Sequence, residues 1–239
     1  MKIKFIDSWG DIPPEYAPVP AAKKIPEWYR KMPTYTDSGK IIDRRNANPG
    51  DSTGGTAKKC MPFFDAMTSG YLIVLPGDVN VRRDEDGSPW FEWANSQEVI
   101  QFHPVRQLPN YPGNESRKYQ YPKFYHPWVV KTPPGYSSLF ISPIHQDLPF
   151  KILEGVVDTD LYEDVILFPF VFTDDNFEGL IPAGTPIAQV IPFKREGWTS
   201  EVVPMSDDIL RMLAVTFNKV RSVFNDGYKT FFWQRKQYK

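Results

Sequence analysis

Twenty-four prolines, spread from Pro13 to Pro204, set the tightest limit on what this chain can fold into. Inside a helix a proline loses a hydrogen bond and clashes with the preceding turn. In a central strand it removes a rung of the ladder. In 239 residues this is roughly double the share usual for globular chains. The chain must therefore be rich in turns, strand ends and extended segments. With 41% apolar residues and 15% aromatic ones available for a core, the expectation is a mainly β protein with long, ordered loops.

The same reading divides the chain into a proline-rich segment, residues 1–69, a β core over 70–205, and a helix and aromatic-basic tail over 206–239. In the first segment a short strand is expected at Lys2 to Ile6. Pro26 and Pro33 bracket a turn or two of helix carrying Trp28 and Tyr29. CMPFFDAMTSG is an apolar run too short to assign by periodicity. YLIVLPGDVNVRR reads as two strands joined at Pro76-Gly77-Asp78, and SPWFEWAN and EVIQFHPV as a further pair. LPNYPGNESRKYQYPKFYHP reads as a loop. WVVKTPPGYSSLFISPI, DVILFPFVFTD and TPIAQVIPFKRE follow, rich in Val, Ile and Phe. Near the end, Ser206 is a good N-cap, Asp207 and Asp208 complement the helix dipole, and Asn225-Asp226-Gly227 supply a stop. Ile209, Leu210, Met212, Leu213, Phe217, Val220 and Phe224 recur at helical spacing, an apolar stripe expected to face the β core.

The formal net charge of −1 supplies no basic field to draw the protein onto nucleic acid or an anionic membrane. No apolar run approaches the ~20 residues of a helical span. MKIKFIDSWGDIPPEY lacks the apolar stretch of a signal peptide. The single cysteine, Cys60, cannot form an internal disulfide, which points to a reducing compartment.

Tested one by one, the local motifs favour plain readings. NPGDSTGGTAKKC, Asn48 to Cys60, has Gly50 and Gly55 at phosphate-loop spacing, but Thr56 stands where the lysine belongs and no strand precedes it. A flexible link is the better account. Lys58 could serve a ligand only if this loop folds back over Asp158. His145-Gln146-Asp147 is half of an iron triad, but His103 and His126 both lie upstream, and with one cysteine no thiolate zinc site can form. Cys60, before an apolar run, reads as buried and inert. Glu154, Asp158, Asp160, Glu163 and Asp164 cluster in LEGVVDTDLYEDV. Alternation puts Asp158 and Asp160 on one face of an extended segment and Thr159 on the other. Close carboxylates can carry acid/base work, while acids in a solvated turn are the plainer reading. Phe231, Phe232 and Trp233 in the tail could either pack under the sheet or meet a partner.

At the acidic cluster the chain resembles a known family. Pro133-Pro134-Gly135-Tyr136, then Gly155-Val156-Val157-Asp158-Thr159-Asp160, then Gly184-Thr185-Pro186-Ile187-Ala188-Gln189 make residues 132–193 similar to the core of dUTPase and dCTP deaminase. The resemblance implies a β-clip, a distorted barrel of short strands, in a trimer. It sets Asp158 at the position of the aspartate that orients the attacking water. Leu161 stands where the base-stacking tyrosine belongs, with Tyr162 next to it, and SPIHQD lacks the arginine of the phosphate motif. Without that charge triphosphate chemistry has no anchor. Over most of its length, through IPEWYRKMP, KKCMPFFDAMTSGY, YHPWVVKTPPGY and LEGVVDTD, the chain resembles a family of tailed-phage (T4-like, marine) and bacterial proteins without an assigned activity.

The expectation is thus a β-clip with a proline-rich N-terminal extension and a C-terminal amphipathic helix. Its role would be self-association or binding of other phage proteins, in the host cytoplasm or the virion, without metal or cofactor. The alternative is a nucleotide-binding or hydrolytic protein. Its catalytic candidates are Asp158, Asp160 and His145, and its ligand-binding candidates Tyr162, His126 and Lys58.

Overall fold

The computed structural model describes residues 1–35, 54–94, 97–112, 119–223 and 226–239. The protein is mainly β, with several antiparallel sheets and a C-terminal helix. It divides into two compact units, one of residues 1–24 and 70–195, the other of residues 25–69 and 196–239. The proline-rich segment 1–69 contributes residues to both.

The first unit carries strands β1 (Lys4–Asp7), β2 (Val19–Pro20), β3 (Tyr71–Val74), β4 (Val79–Arg83), β5 (Pro89–Trp93), β6 (Ile100–His103) and β7 (Tyr121–Phe124). β8 (Trp128–Lys131), β9 (Tyr136–Ile141), β10 (Phe150–Ile152), β11 (Gly155–Val157), β12 (Phe168–Phe172), β13 (Gly179–Ile181) and β14 (Pro186–Lys194) follow. They form sheets in the orders β11-β9-β14-β3-β2, β10-β12-β7-β6, β13-β4-β5 and β1-β8.

Two strands show how sequence becomes packing. In β12 the pattern Phe-Pro-Phe-Val-Phe buries Phe168, Phe170 and Phe172 and leaves the residues between them half-buried. Phe170 stacks on Phe124 at 4.2 Å between ring centroids, and Phe150 meets Phe124 edge-on at 4.8 Å. Each such ring, fully buried, contributes about 2–3 kcal/mol from area alone. In β14, Ile187, Ala188, Gln189 and Val190 are all buried, as a strand with neighbours on both edges requires. Pairing with β3 stops at Val190, so Pro192 lies where β14 has only β9 beside it and its missing N–H is tolerated.

Partner choice departs from the sequence reading. β5 pairs with β4, not β6, through a turn in which Asp84 N–H donates to the Ser88 carbonyl and Gly87 takes φ +81°. β6 pairs with β7, which lies inside the stretch read as a loop. Pro122 and the polar residues around it hid a strand whose Tyr121, Pro122 and Phe124 are buried.

The second unit holds α1 (Glu27–Lys31), α2 (Met61–Thr68), α3 (Asp207–Ser222) and α4 (Gly227–Phe231). Pro26 caps α1 as expected, and Tyr29 stacks on Phe63 of α2 with centroids 6.0 Å apart. Cys60, read as buried, is exposed. The six residues Asn48–Thr53 of the glycine-rich loop lie outside the described residues, as do Phe224 and Asn225 of the C-terminal stripe and stop signal. From Gly54 onward the loop is pinned. Tyr35 and Gly55 form a β-bridge, and Thr56 Oγ1 donates to the Pro33 carbonyl at 2.6 Å. In the tail, Trp233 Nε1 and Lys236 Nζ both donate to Asp65 Oδ2, at 2.9 and 2.7 Å. Ser206 caps α3, its Oγ accepting from Ile209 N–H. The stripe expected to be covered by the β core is not a buried one. No described residue of α3 is buried, and Leu210 and Phe217 are each 53% exposed.

Gly70 enters β3 with φ +72°, and a Cβ there would stand 2.0 Å from the Val190 carbonyl oxygen. Gly87 has a similar φ but open space around it. Gly70→Ala should therefore cost about 3 kcal/mol or more, and Gly87→Ala about 1 kcal/mol. Urea-unfolding midpoints of the two variants measure the difference. Equal, small losses would contradict the close approach at Gly70.

Candidate functional site

Three strand ends meet at the acidic cluster. β9 starts after the Pro133-Pro134-Gly135 turn, where Gly135 adopts φ +84° and Tyr136 N–H donates to the Pro133 carbonyl at 3.2 Å. β11 runs antiparallel to β9 with Val157 opposite Ser138, so Asp158 emerges beside Ser137. β14 ends with Lys194 opposite Tyr136, which brings Arg195 against Gly135; its N–H donates to the Gly135 carbonyl at 2.8 Å.

Thr159 turns inward in the turn that follows β11, where its N–H donates to the Val157 carbonyl at 2.9 Å. Fully buried, its hydroxyl shares hydrogen bonds with Thr132 Oγ1 at 2.8 Å and Ser138 Oγ at 2.9 Å. Asp158 and Asp160 turn the other way, onto Arg195. The guanidinium grips Asp160 with two bonds, Nη1 to Oδ1 at 2.7 Å and Nη2 to Oδ2 at 2.5 Å. Nη1 also reaches Asp158 Oδ1 at 3.2 Å and Ser137 Oγ at 3.1 Å. Ser137 Oγ donates to the same Asp158 oxygen at 2.6 Å, and Gly135 N–H to Asp160 Oδ2 at 2.8 Å. The Asp160 side chain is only 5% exposed, that of Asp158 57%.

The electrostatics follow from this geometry. Arg195, and to a lesser degree the Gly135 amide, hold the Asp160 carboxyl at about 2, against the desolvation that would raise it. A general base for neutral pH needs the opposite shift, whereas this carboxylate is held ionised by its pairing with Arg195. Arg195 spends its fork on two carboxylates, and the trio keeps a formal negative charge that repels phosphate. No protein-family model matches the chain, and no curated protein matches it. The geometry therefore carries the functional reading.

The other candidates are dispersed. His145 is exposed, with φ +60°, in the turn beyond the far end of β9, where the neighbouring Ile144 N–H donates to Gln189 Oε1 at 2.9 Å. The strand separates it from Asp158. Tyr162 N–H donates to the Asp158 carbonyl at 2.9 Å, and its ring lines an open groove of about 460 Å³ with Tyr125, Val157 and Asp164. Lys58 lies in the second unit, where its Nζ donates to the Arg30 carbonyl at 2.7 Å. Glu163 is engaged by Lys131 at 3.0 Å, and Asp164 Oδ1 accepts from Val165 N–H. Among the described residues, no group of three or more His, Cys, Asp or Glu could hold a metal ion.

His126 is a core residue. It is fully buried between β7 and β8 and stacks on Phe168 at 4.7 Å. Its Nε2–H donates to the Ile166 carbonyl at 2.6 Å, and Nδ1 accepts from Trp128 N–H at 3.1 Å. Both ring nitrogens are committed to the neutral tautomer, and burial pushes the ring down to about 4.

Arg195, Ser137 and Thr132 escaped sequence reading. Two acids on one face call for a cation, but only the β9–β14 register shows which one answers.

Two titrations test this description. The low Asp160 value means that its ion pair contributes fully above about 4 and is lost as pH falls toward 2. Arg195→Met should lower the urea midpoint at neutral pH, and the deficit against wild type should shrink as pH falls toward 2. A deficit independent of pH would refute the assignment. For His126, the unfolded ring takes a proton below about 6.5 while the folded ring resists until about 4, so stability falls as pH drops through that window. Wild type should be about 2 kcal/mol less stable at pH 5 than at pH 7 from this group alone. His126→Gln should lack that increment.

Proposed function

We propose that the chain is a non-enzymatic phage protein with an elaborated β-clip core, working by self-association, in the host cytoplasm or the virion. One observation carries this reading. Among the described residues, the C-terminal part of the second unit presents many large apolar side chains to solvent. Trp198 is 88% exposed and Val202 98%, and Leu210, Met212, Leu213, Val215 and Phe217 of α3 are all exposed. Runs of apolar surface of this kind mark interaction sites. A helix this short gains most of its stability from burying an apolar face, and no residue of α3 is fully buried.

The second reading is a nucleotide-binding or hydrolytic protein of the dUTPase-like kind. What favours it is the exposed Asp158 carboxylate, on the residue that follows Val157 of the groove Tyr162 lines. Against it stands Arg195, held by two carboxylates instead of offered to a phosphate.

Sedimentation of the full chain from micromolar to hundreds of micromolar should give species at multiples of 27.6 kDa. A monomer throughout would sink the self-association reading. In thermal-shift titrations with dUTP and dCTP plus Mg²⁺ or Mn²⁺, no saturable rise in Tm is expected. A rise that Asp158→Asn abolishes would establish the second reading instead.

A further inference from the structure

Helix α3 carries a second pattern beyond its exposure. Leu210, Leu213, Phe217 and Val220 are spaced three, four and three residues apart, the a/d spacing of a coiled-coil seam. The first three are about half exposed, and Val220 is partly buried. The first turn of the helix carries Asp207 and Asp208 and the last Lys219 and Arg221. Arg211 pairs with Asp208 at 3.2 Å, which leaves Asp207 at the acidic end as the counterpart of Arg221. Arg221 lies over the Phe217 ring, its Cζ 3.9 Å from the centroid, so its charge is held at the border of the seam.

From this we infer that α3 pairs antiparallel with α3 of a second copy of this chain, about a twofold axis near the middle of the helix. The inference rests on the self-association reading and names its geometry. Antiparallel pairing sets Leu210 opposite Val220 of the second copy and Leu213 opposite its Phe217, each contact occurring twice by symmetry. Numbering the seam as heptad a and d positions makes Asp207 and Arg221 both e positions. Antiparallel helices face e against e, so two Asp207–Arg221 ion pairs close the ends of the seam. Parallel pairing would instead bring the acidic first turns together and the basic last turns together, with a threonine as the only neighbour for Arg221 across the seam. The charge pattern selects the second copy as occupant, because Asp207 and Arg221 at the seam's border meet opposite charges when the second helix runs in reverse.

Sedimentation equilibrium on full-length protein tests this, with circular dichroism to verify that each surface variant is folded. Phe217→Asp should raise the dimer dissociation constant by about a hundredfold or more. Asp207→Arg and Arg221→Asp should each raise it by roughly tenfold. An equimolar mixture of the two single variants should associate as the wild type does, because each then supplies the charge that the other lost. The double variant D207R/R221D should also recover wild-type association. If the single swaps leave the constant unchanged, or the mixture fails to recover, antiparallel pairing is wrong. Wild-type association lost in Phe217→Asp would then still keep self-association through α3. A wild-type chain that is monomeric throughout would remove both.

Discussion

Val190 of β14 stands opposite Phe140 of β9 on one side and Tyr71 of β3 on the other, and the first unit is assembled around those two ladders. Strands from distant parts of the chain become neighbours only because β14 can be buried on both edges. Its sequence permits this. Ile187, Ala188 and Val190 bring no polar atom to the core, and the buried Gln189 turns its amide oxygen to Ile144 N–H. The tight fit continues at the strand's neighbour, where Gly70 passes so close to the Val190 carbonyl that no side chain could stand there.

The same ladder creates the acidic cluster. Once β14 is registered against β9, the residue after it must land on the Pro133-Pro134-Gly135 turn, and that residue is Arg195. Asp158 and Asp160 arrive from β11 on the other side of β9. The cluster is therefore a clasp that ties three strand ends with charge-assisted bonds, and it draws the Asp160 carboxyl away from the range in which it could move protons at neutral pH. The stretch that by resemblance points to water activation also ties strand ends together, with Asp158 as the member left open to solvent.

Much of the local structure was legible. Pro26 and Pro33 bounded α1, Ser206 capped α3, and the alternation of Asp158, Thr159 and Asp160 predicted which side chains diverge. These rest on short-range rules of dihedral angle and period. The misreadings share one cause. Whether β5 pairs with β4 or with β6, whether Tyr121–Phe124 is a strand, and whether the stripe of α3 is covered all depend on residues remote in sequence. His126 shows the same limit, since nothing near it in the chain announces that Ile166 and Phe168 will enclose it.

By itself, then, the sequence determined the kind of elements and many of their ends. Prolines confined helices to short brackets until none follows Pro204, and there the longest helix among the described residues forms. It also wrote the charge polarity and the seam of α3, which are properties of one helix. Only the tertiary structure decided which strand meets which, that Arg195 answers the two aspartates, and that His126 is enclosed by Ile166 and Phe168. Hydrogen-bond registers and burial arise between segments far apart in the chain, and no local pattern of residues encodes the distance across that gap.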